Sequence, residues 1–346
     1  MAERHSTLEK MGLILICKKL KKRYKEDKPS VATKKLLYDF FTRERTKCFG
    51  NGNPGKTIYV IRGYDYKSRF CVAPVHNLLA NYFYVMSHLF YAREKGWIPV
   101  VDQQNYPEYN TMDHPVNGTM NAWEYFWKQP GGVSLEEAYK SQRVVLSRRN
   151  FLSQWDLGYD PGNYYNKDLV HVYFDISRTI PFNDITREYI EGKKALLPFG
   201  GKVLGVNVRI GGHSKKSLNY AAGHPVQPEI SDLIQTVKTR MSDWDMEYVF
   251  LASDNEVAVL EFSKTFGNSL IVYNRMRAEN GKEFKKDIEK NMYLENNIFQ
   301  TTLDYLTEME LLASCNALIG SVTSGLRYAL VRNDGKYQFL EIIDCG

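Results

Sequence analysis

Along the second half of the chain, short apolar runs alternate with stretches in which apolar residues recur every three or four positions. The runs at 203–208, 248–252, 270–273, 317–320 and 337–343 have the character of strands buried on both faces, and the stretches near 228–241, 256–266, 303–314 and 323–332 have the helical period. This alternation predicts a parallel, doubly wound α/β sheet. The first half is less regular. Thr57 to Ile61 reads as a strand, Val75 to Glu94 as a long helix and Trp97 to Val101 as the next strand, a βαβ opening. An aromatic helix around Trp123–Trp127, a break at Pro130-Gly-Gly132 and a strand over Val144–Leu146 continue it, and Pro198-Phe-Gly-Gly201 reads as a hinge. The pattern therefore predicts a basic helical extension over 1–50, a Rossmann-like domain over 51–198 and a second over 199–346. Residues 274–300, charged and rich in Asn, read as a long mobile loop at the cleft.

Two places in this pattern carry chemistry. In Asn316 to Leu330 a short apolar strand runs into a turn with the hydroxyls of Ser321, Thr323 and Ser324, flanked by Gly320 and Gly325, and the turn opens a helix. Free N–H groups and a positive dipole end at such a helix start suit a phosphate, although Ser and Thr are also ordinary helix caps. Roughly 110 residues upstream, Lys202 to His213 holds a second such place. Arg209 follows a buried strand, where open α/β sheets bind ligands, and its guanidinium suits a diphosphate or a neighbouring carboxylate. Gly211-Gly212 follows as a flexible loop, with His213 in it and His224 just beyond.

Composition narrows the class. A chain of 346 residues with 43% hydrophobic and 13% aromatic residues has room for two cored domains. No apolar run reaches a membrane-spanning length, Met11 to Cys17 being far too short, and no signal peptide is expected because the N-terminus lacks a proper apolar region with a small-residue cleavage site. The five cysteines have no paired metal spacing, which points to reduced thiols and a cytoplasmic setting.

Residues 1–50 hold 14 Lys/Arg against 6 Asp/Glu, an excess of eight, while the whole chain carries +6. The basic surplus is thus entirely N-terminal. Within 1–25 an apolar patch adjoins a cationic cluster, which suits an anionic membrane surface, a solvated helix or a packing arm. Nucleic acid is not expected, because no recognition module accompanies the charge.

Asn207-Val-Arg209, Phe250-Leu-Ala-Ser-Asp254 and Gly320-Ser-Val-Thr-Ser324 resemble, in that order, the three motifs of the α-1,6-fucosyltransferases and their O-fucosyltransferase relatives. Ala221-Ala-Gly-His-Pro225 is similar to the segment after the first motif. The likeness covers about residues 200–345, and Asn77 to Val101, continuing to Asp102, resembles bacterial members more loosely. It implies the GT-B fold, two Rossmann-like domains facing a cleft, with the nucleotide sugar in the second. It further implies that Arg209 binds the donor diphosphate with Ser321, Thr323 and Ser324. Asp254 matches the acidic end of the second motif, and Glu308 falls near an aspartate that reads guanine. Departures are clear: Asn207 replaces a histidine, Ile210 a second arginine, and Tyr220 an acidic residue proposed for catalysis.

Expulsion of a nucleoside diphosphate builds negative charge on its β-phosphate, and the acceptor hydroxyl needs a base. Arg209 and the helix start meet the first need. No metal or other cofactor is then expected besides the nucleotide sugar, and Asp243-Trp-Asp245 reads as a helix end. His213, His224 and Asp102 are the candidate bases. In this reading Asn207 and Glu308 recognise guanine, with Glu310 as the alternative if the register differs. The expectation is an inverting GT-B glycosyltransferase that moves fucose or a related sugar from a GDP-linked donor to a glycan or lipid-linked saccharide. Its setting would be surface-polysaccharide assembly, in the cytoplasm or at the inner membrane face. A non-catalytic binding protein on the same fold and a membrane scaffold are the other classes.

Overall fold

The computed structural model describes residues 43–63, 78–104, 114–149, 166–198, 200–209, 226–278 and 298–343. The basic segment of 1–25 lies outside them. Four strands form the first sheet: β1 (Arg45–Lys47), β2 (Ile58–Arg62), β3 (Ile98–Asp102) and β4 (Val144–Leu146), in the order β1-β4-β2-β3. The central β2 is buried throughout and pairs in parallel with both β3 and β4. β1 lies antiparallel on β4, so residues 45–47 form a strand where helix was expected, and 1–42 lie outside the described residues. Its exposed Arg and Lys side chains are suited to a sheet edge.

Helix α1 (Leu78–Lys95) is apolar on nearly every face and correspondingly buried, and it stops where Gly96 takes a left-handed φ of 64°. A short α2 (Leu135–Ala138) starts from a capping box of Ser134 and Glu137. Two helices that the sequence pattern did not predict follow, α3 (Lys167–Ser177) and α4 (Asp184–Lys193), capped by Asn166 and Asn183. Asn183 also corrects the aromatic helix expected at Trp123–Trp127. Its side-chain amide donates to the Glu124 and Tyr125 carbonyls at 2.9 Å each, and its backbone N–H donates to Phe126 O. Carbonyls that a helix would use internally are thus taken, and the segment closes as turns.

The second half follows the predicted alternation. Its elements are β5 (Val203–Val208), α5 (Ile230–Asp243), β6 (Tyr248–Ser253), α6 (Glu256–Phe266) and β7 (Leu270–Val272), then α7 (Ile298–Ala313), β8 (Ala317–Ser321), α8 (Ser324–Asn333) and β9 (Phe339–Ile343). All strands are parallel, in the order β7-β6-β5-β8-β9. Chain order reverses between β5 and β8, so a crevice opens beyond their carboxyl ends. Gly205 lets α7 approach β5, since a Cβ there would meet Leu312 Cδ1 at 2.7 Å. The 274–300 stretch is corrected at both ends: Arg275 to Ala278 is buried or nearly so, and α7 starts at Ile298.

A single apolar cluster runs from Tyr59, Tyr82 and Trp123 to Leu312, Tyr328 and Tyr337, so the helices between the sheets share one core. Tyr82 meets Tyr328 edge-on at 5.2 Å, and the Arg327 guanidinium lies 3.7 Å from the Phe83 ring centroid. Polar ties accompany this packing. The hydroxyls of Tyr189 on α4 and Tyr273 after β7 donate to Asp304 Oδ1 on α7 at 2.7 and 2.8 Å.

Candidate functional site

Three adjacent strand ends converge on the crevice. The ladder pairs Asn207 of β5 with Gly320 of β8 and Val208 with Ser253 of β6. Asn207, Arg209, Asp254 and the turn at 321–324 are therefore neighbours despite their separation in sequence. Arg209 is exposed and has no hydrogen bond or ion pair among the described residues. Asp254 is half-buried; its backbone carbonyl accepts from Ala278 N at 2.9 Å, which pins the segment after β7 beside the crevice.

The hydroxyl turn divides its work. Thr323 is the N-cap of α8: its Oγ1 accepts from Leu326 N at 3.0 Å and donates to Asn207 Oδ1 at 2.8 Å. Ser321 is buried and donates to Gln227 Oε1. Ser324, half-buried, stands at the first position of α8, where backbone N–H groups have no partner within the helix. Capping and ligand binding are therefore compatible, because one hydroxyl caps while the helix start remains directed to the crevice.

Gly325 brings the parts together. A Cβ there would lie 2.8 Å from Met309 Sδ, 3.3 Å from Tyr305 Oη and 3.4 Å from Asn207 Nδ2. Tyr305 is a residue that sequence reasoning missed. Burial pushes its phenol above the ordinary value, against the pull of Arg275 and Arg209, so at neutral pH it is an uncharged donor beside the crevice. The helical spacing of Tyr305 ahead of Glu308 was the available signal, but an aromatic on a buried helix reads as core.

Glu308 is fully buried, and its carboxylate faces two arginines. Arg277 Nη2 lies 3.1 Å from Oε1, while Arg275 Nη2 lies 2.8 Å from Oε2 in an ion pair without aligned hydrogen-bond geometry. Both guanidiniums also donate to Ser253 O, at 2.9 and 3.2 Å. Burial lowers Arg277 despite the opposing pull of Glu308; for Arg275 the Glu308 charge overcomes burial and leaves it raised. This cluster underlies the end of β6. Glu308 is thus engaged by two arginines, where the sequence suggested a direct contact with guanine. Glu310 accepts from Tyr328 Oη and Arg332 Nε at 2.6 Å each, away from Asn207.

Asp102 ends β3 and is fully buried. Its Oδ2 accepts from Tyr139 Oη at 2.5 Å and Oδ1 from Gln104 N at 3.1 Å. His213, His224, Tyr220 and the Gly211-Gly212 loop lie outside the described residues. Asp243 pairs with Arg240 at 3.0 Å, and Asp245 pairs with Lys202 as α5 ends. Among the described residues no three His, Cys, Asp or Glu side chains group as a metal site, and no helix is long and apolar enough to cross a membrane.

No family model matches the sequence, and no curated protein matches it. Among solved structures the chain is similar to the fucosyltransferase NodZ from Bradyrhizobium, at 15% identity and TM-score 0.44, over 79% of this chain and 93% of that one. It is also similar to a mutant of Arabidopsis thaliana FUT1 in complex with GDP, at 10% identity and TM-score 0.46, over 84% and 71%. A third is POFUT1 in complex with GDP-fucose, at 10% identity and TM-score 0.42, over 84% and 98%.

Proposed function

We propose that the chain is a GT-B glycosyltransferase that transfers fucose or a related sugar from a GDP-linked donor to a glycan or lipid-linked saccharide. The observation that carries this reading is the convergence of Asn207-Val-Arg209, Ser253-Asp254 and Gly320–Ser324 on one crevice at a topological switch point. Segments this far apart in sequence have no local reason to share a fucosyltransferase-like pattern.

The chemistry follows from the groups present. Arg209, with no carboxylate to satisfy it among the described residues, would take the diphosphate as a bidentate donor. The start of α8 and the Tyr305 hydroxyl would add donors where charge develops on the leaving phosphate. Asn207, whose Oδ1 is occupied by Thr323, keeps its amide N–H₂ for the O6 of guanine. Glu308 acts as a positioning residue through Arg275 and Arg277. For the base, Asp102 is already committed to Tyr139 and Gln104, which favours His213 or His224.

A nucleotide-binding protein without transferase activity is the second reading, favoured by the enclosure of Asp102. Release of the donor's nucleotide, GDP from GDP-fucose, UDP from UDP-sugars and CMP from CMP-sugars, measured with a panel of saccharide acceptors, separates the two. Release from the GDP-sugar alone, reduced on the order of a hundredfold or more in Arg209→Ala, supports the transferase. GDP binding without release from any donor and acceptor pair supports the second reading.

A further inference from the structure

A cavity of about 340 Å³ opens between α3 and α4 of the first half and the ends of α7 and α8 of the second. Arg332, on its wall, lies eight residues after Ser324 on α8, a rise of about 12 Å. The cavity therefore stands at the opposite end of α8 from the hydroxyl turn. Its apolar lining is Ile180, Pro181, Phe182 and Ile190. Around it stand five cations, Lys128, Arg178, Arg187, Lys194 and Arg332, against the two carboxylates Glu191 and Glu310.

The nearby carboxylates offset only part of that charge. Glu310 is held by Arg332 and Tyr328, and Glu191 pairs with Lys194 at 2.6 Å. Lys128 and Arg187 share one oxygen of Asp184, each at 3.0 Å, so one carboxylate serves two cations. Arg178 has no ion pair among the described residues; its guanidinium rests 5.7 Å from the Phe174 centroid. The Arg332 guanidinium lies over the Phe182 ring, 5.2 Å from its centroid. Cations beside an apolar lining complement a ligand with a ring face and a dianionic group, since phosphate accepts from several donors at once. The volume is at the lower end of the roughly 300–1,000 Å³ of small-molecule sites, a monosaccharide's size rather than a nucleotide sugar's.

We propose that this cavity is a second site, which binds a sugar phosphate with its phosphate among Arg178, Arg187 and Lys194 and its ring against Pro181 and Phe182. The proposal does not depend on the transferase reading. Calorimetric titration of the full chain at low salt with glucose 6-phosphate, glucose and inorganic phosphate tests it, alongside an Arg178→Gln/Lys194→Gln double variant. Both positions are exposed, and circular dichroism checks the variant's fold. The expected result is saturable glucose 6-phosphate binding, about tenfold or more tighter than inorganic phosphate, no glucose binding, and a loss of about tenfold or more in the double variant. Saturating GDP should leave that binding unchanged. The proposal is overturned by absence of saturable binding at millimolar concentration, by equal affinity for inorganic phosphate, by an unaffected double variant, or by displacement with GDP, which would place the sugar phosphate in the crevice.

Discussion

Each sheet places an arginine at the carboxyl end of the strand where chain order reverses, Arg62 on β2 and Arg209 just past β5. Arg62 is 6% exposed; its Nε donates to Ser147 O at 2.8 Å, its Nη2 to Arg43 O at 3.2 Å, and its backbone N–H to Ser147 Oγ at 2.9 Å. These bonds lace β2 to β4 across the place where a ligand would enter. Arg209 is exposed and makes no such bond among the described residues. Among the described residues the same topology thus gives a laced end in one sheet and an unlaced one in the other. A switch point becomes a binding site only where its polar groups are left for a ligand to satisfy.

The sharpest way to break this comparison is at the base of the unlaced end. Glu308→Gln removes the buried carboxylate that Arg275 and Arg277 share, and should cost about 3–5 kcal/mol of stability in urea denaturation. A variant as stable as the parent would show that the cluster does not support β6. Next comes the laced end. Arg62→Ala removes charge-assisted bonds to carbonyls and should cost about 1.5–3 kcal/mol, with GDP affinity unchanged in the folded protein. Loss of GDP binding at undiminished stability would make Arg62 a ligand residue and dissolve the contrast.

Gly325→Ala is smaller, about 1 kcal/mol of stability, because the new methyl must displace Met309 and press on Tyr305 and Asn207. Calorimetry should show weaker GDP binding alongside it; unchanged affinity would mean that these two side chains do not line the site. The smallest effect is a pH dependence at the far end of α8, where His171 of α3 meets Asp334 Oδ1 at 2.8 Å. The hydrogen bond and charge of Asp334 raise the His171 imidazole. Burial pushes the Asp334 carboxyl up, but bonds from His171 and Lys336 outweigh it and bring it below its ordinary value. A raised histidine stabilises below its unfolded value of about 6.5 and loses that contribution as pH rises through the folded value. A lowered carboxyl stabilises above about 3.9 and loses its contribution as pH falls. The tie is therefore strongest between about pH 4 and 6.5. Melting scans at pH 5.5 and 8.5 should show a small extra loss at the higher pH that His171→Ala removes; identical pH dependence in the two proteins would discount the pair.

The parallel alternation of 203–343 was legible because each strand is a short, mostly apolar run and each helix carries its own period or cap; Asn255 before α6 and Thr323 before α8 are examples. The spacing of Val170, Tyr173 and Ile176 behind Asn166 signalled α3 in the same way. That signal was too short to stand out from an otherwise irregular stretch. Arg209 and the hydroxyl turn were readable at strand ends. The partners of Glu308 were not. Arg275 and Arg277 sit in a charged stretch that reads as solvated loop, and only folding pairs them with a carboxylate some thirty residues on. Long-range pairing also hid the commitment of Asp102 to Tyr139.

The most direct test is calorimetric titration of GDP and UDP into the parent protein and Arg209→Ala. If the unlaced end of the second sheet is the nucleotide site, the parent binds GDP more tightly than UDP. Arg209→Ala then loses about 2–4 kcal/mol of GDP binding at an unchanged melting temperature. Equal GDP affinity in the two proteins, or no binding of either nucleotide by the parent, would contradict it.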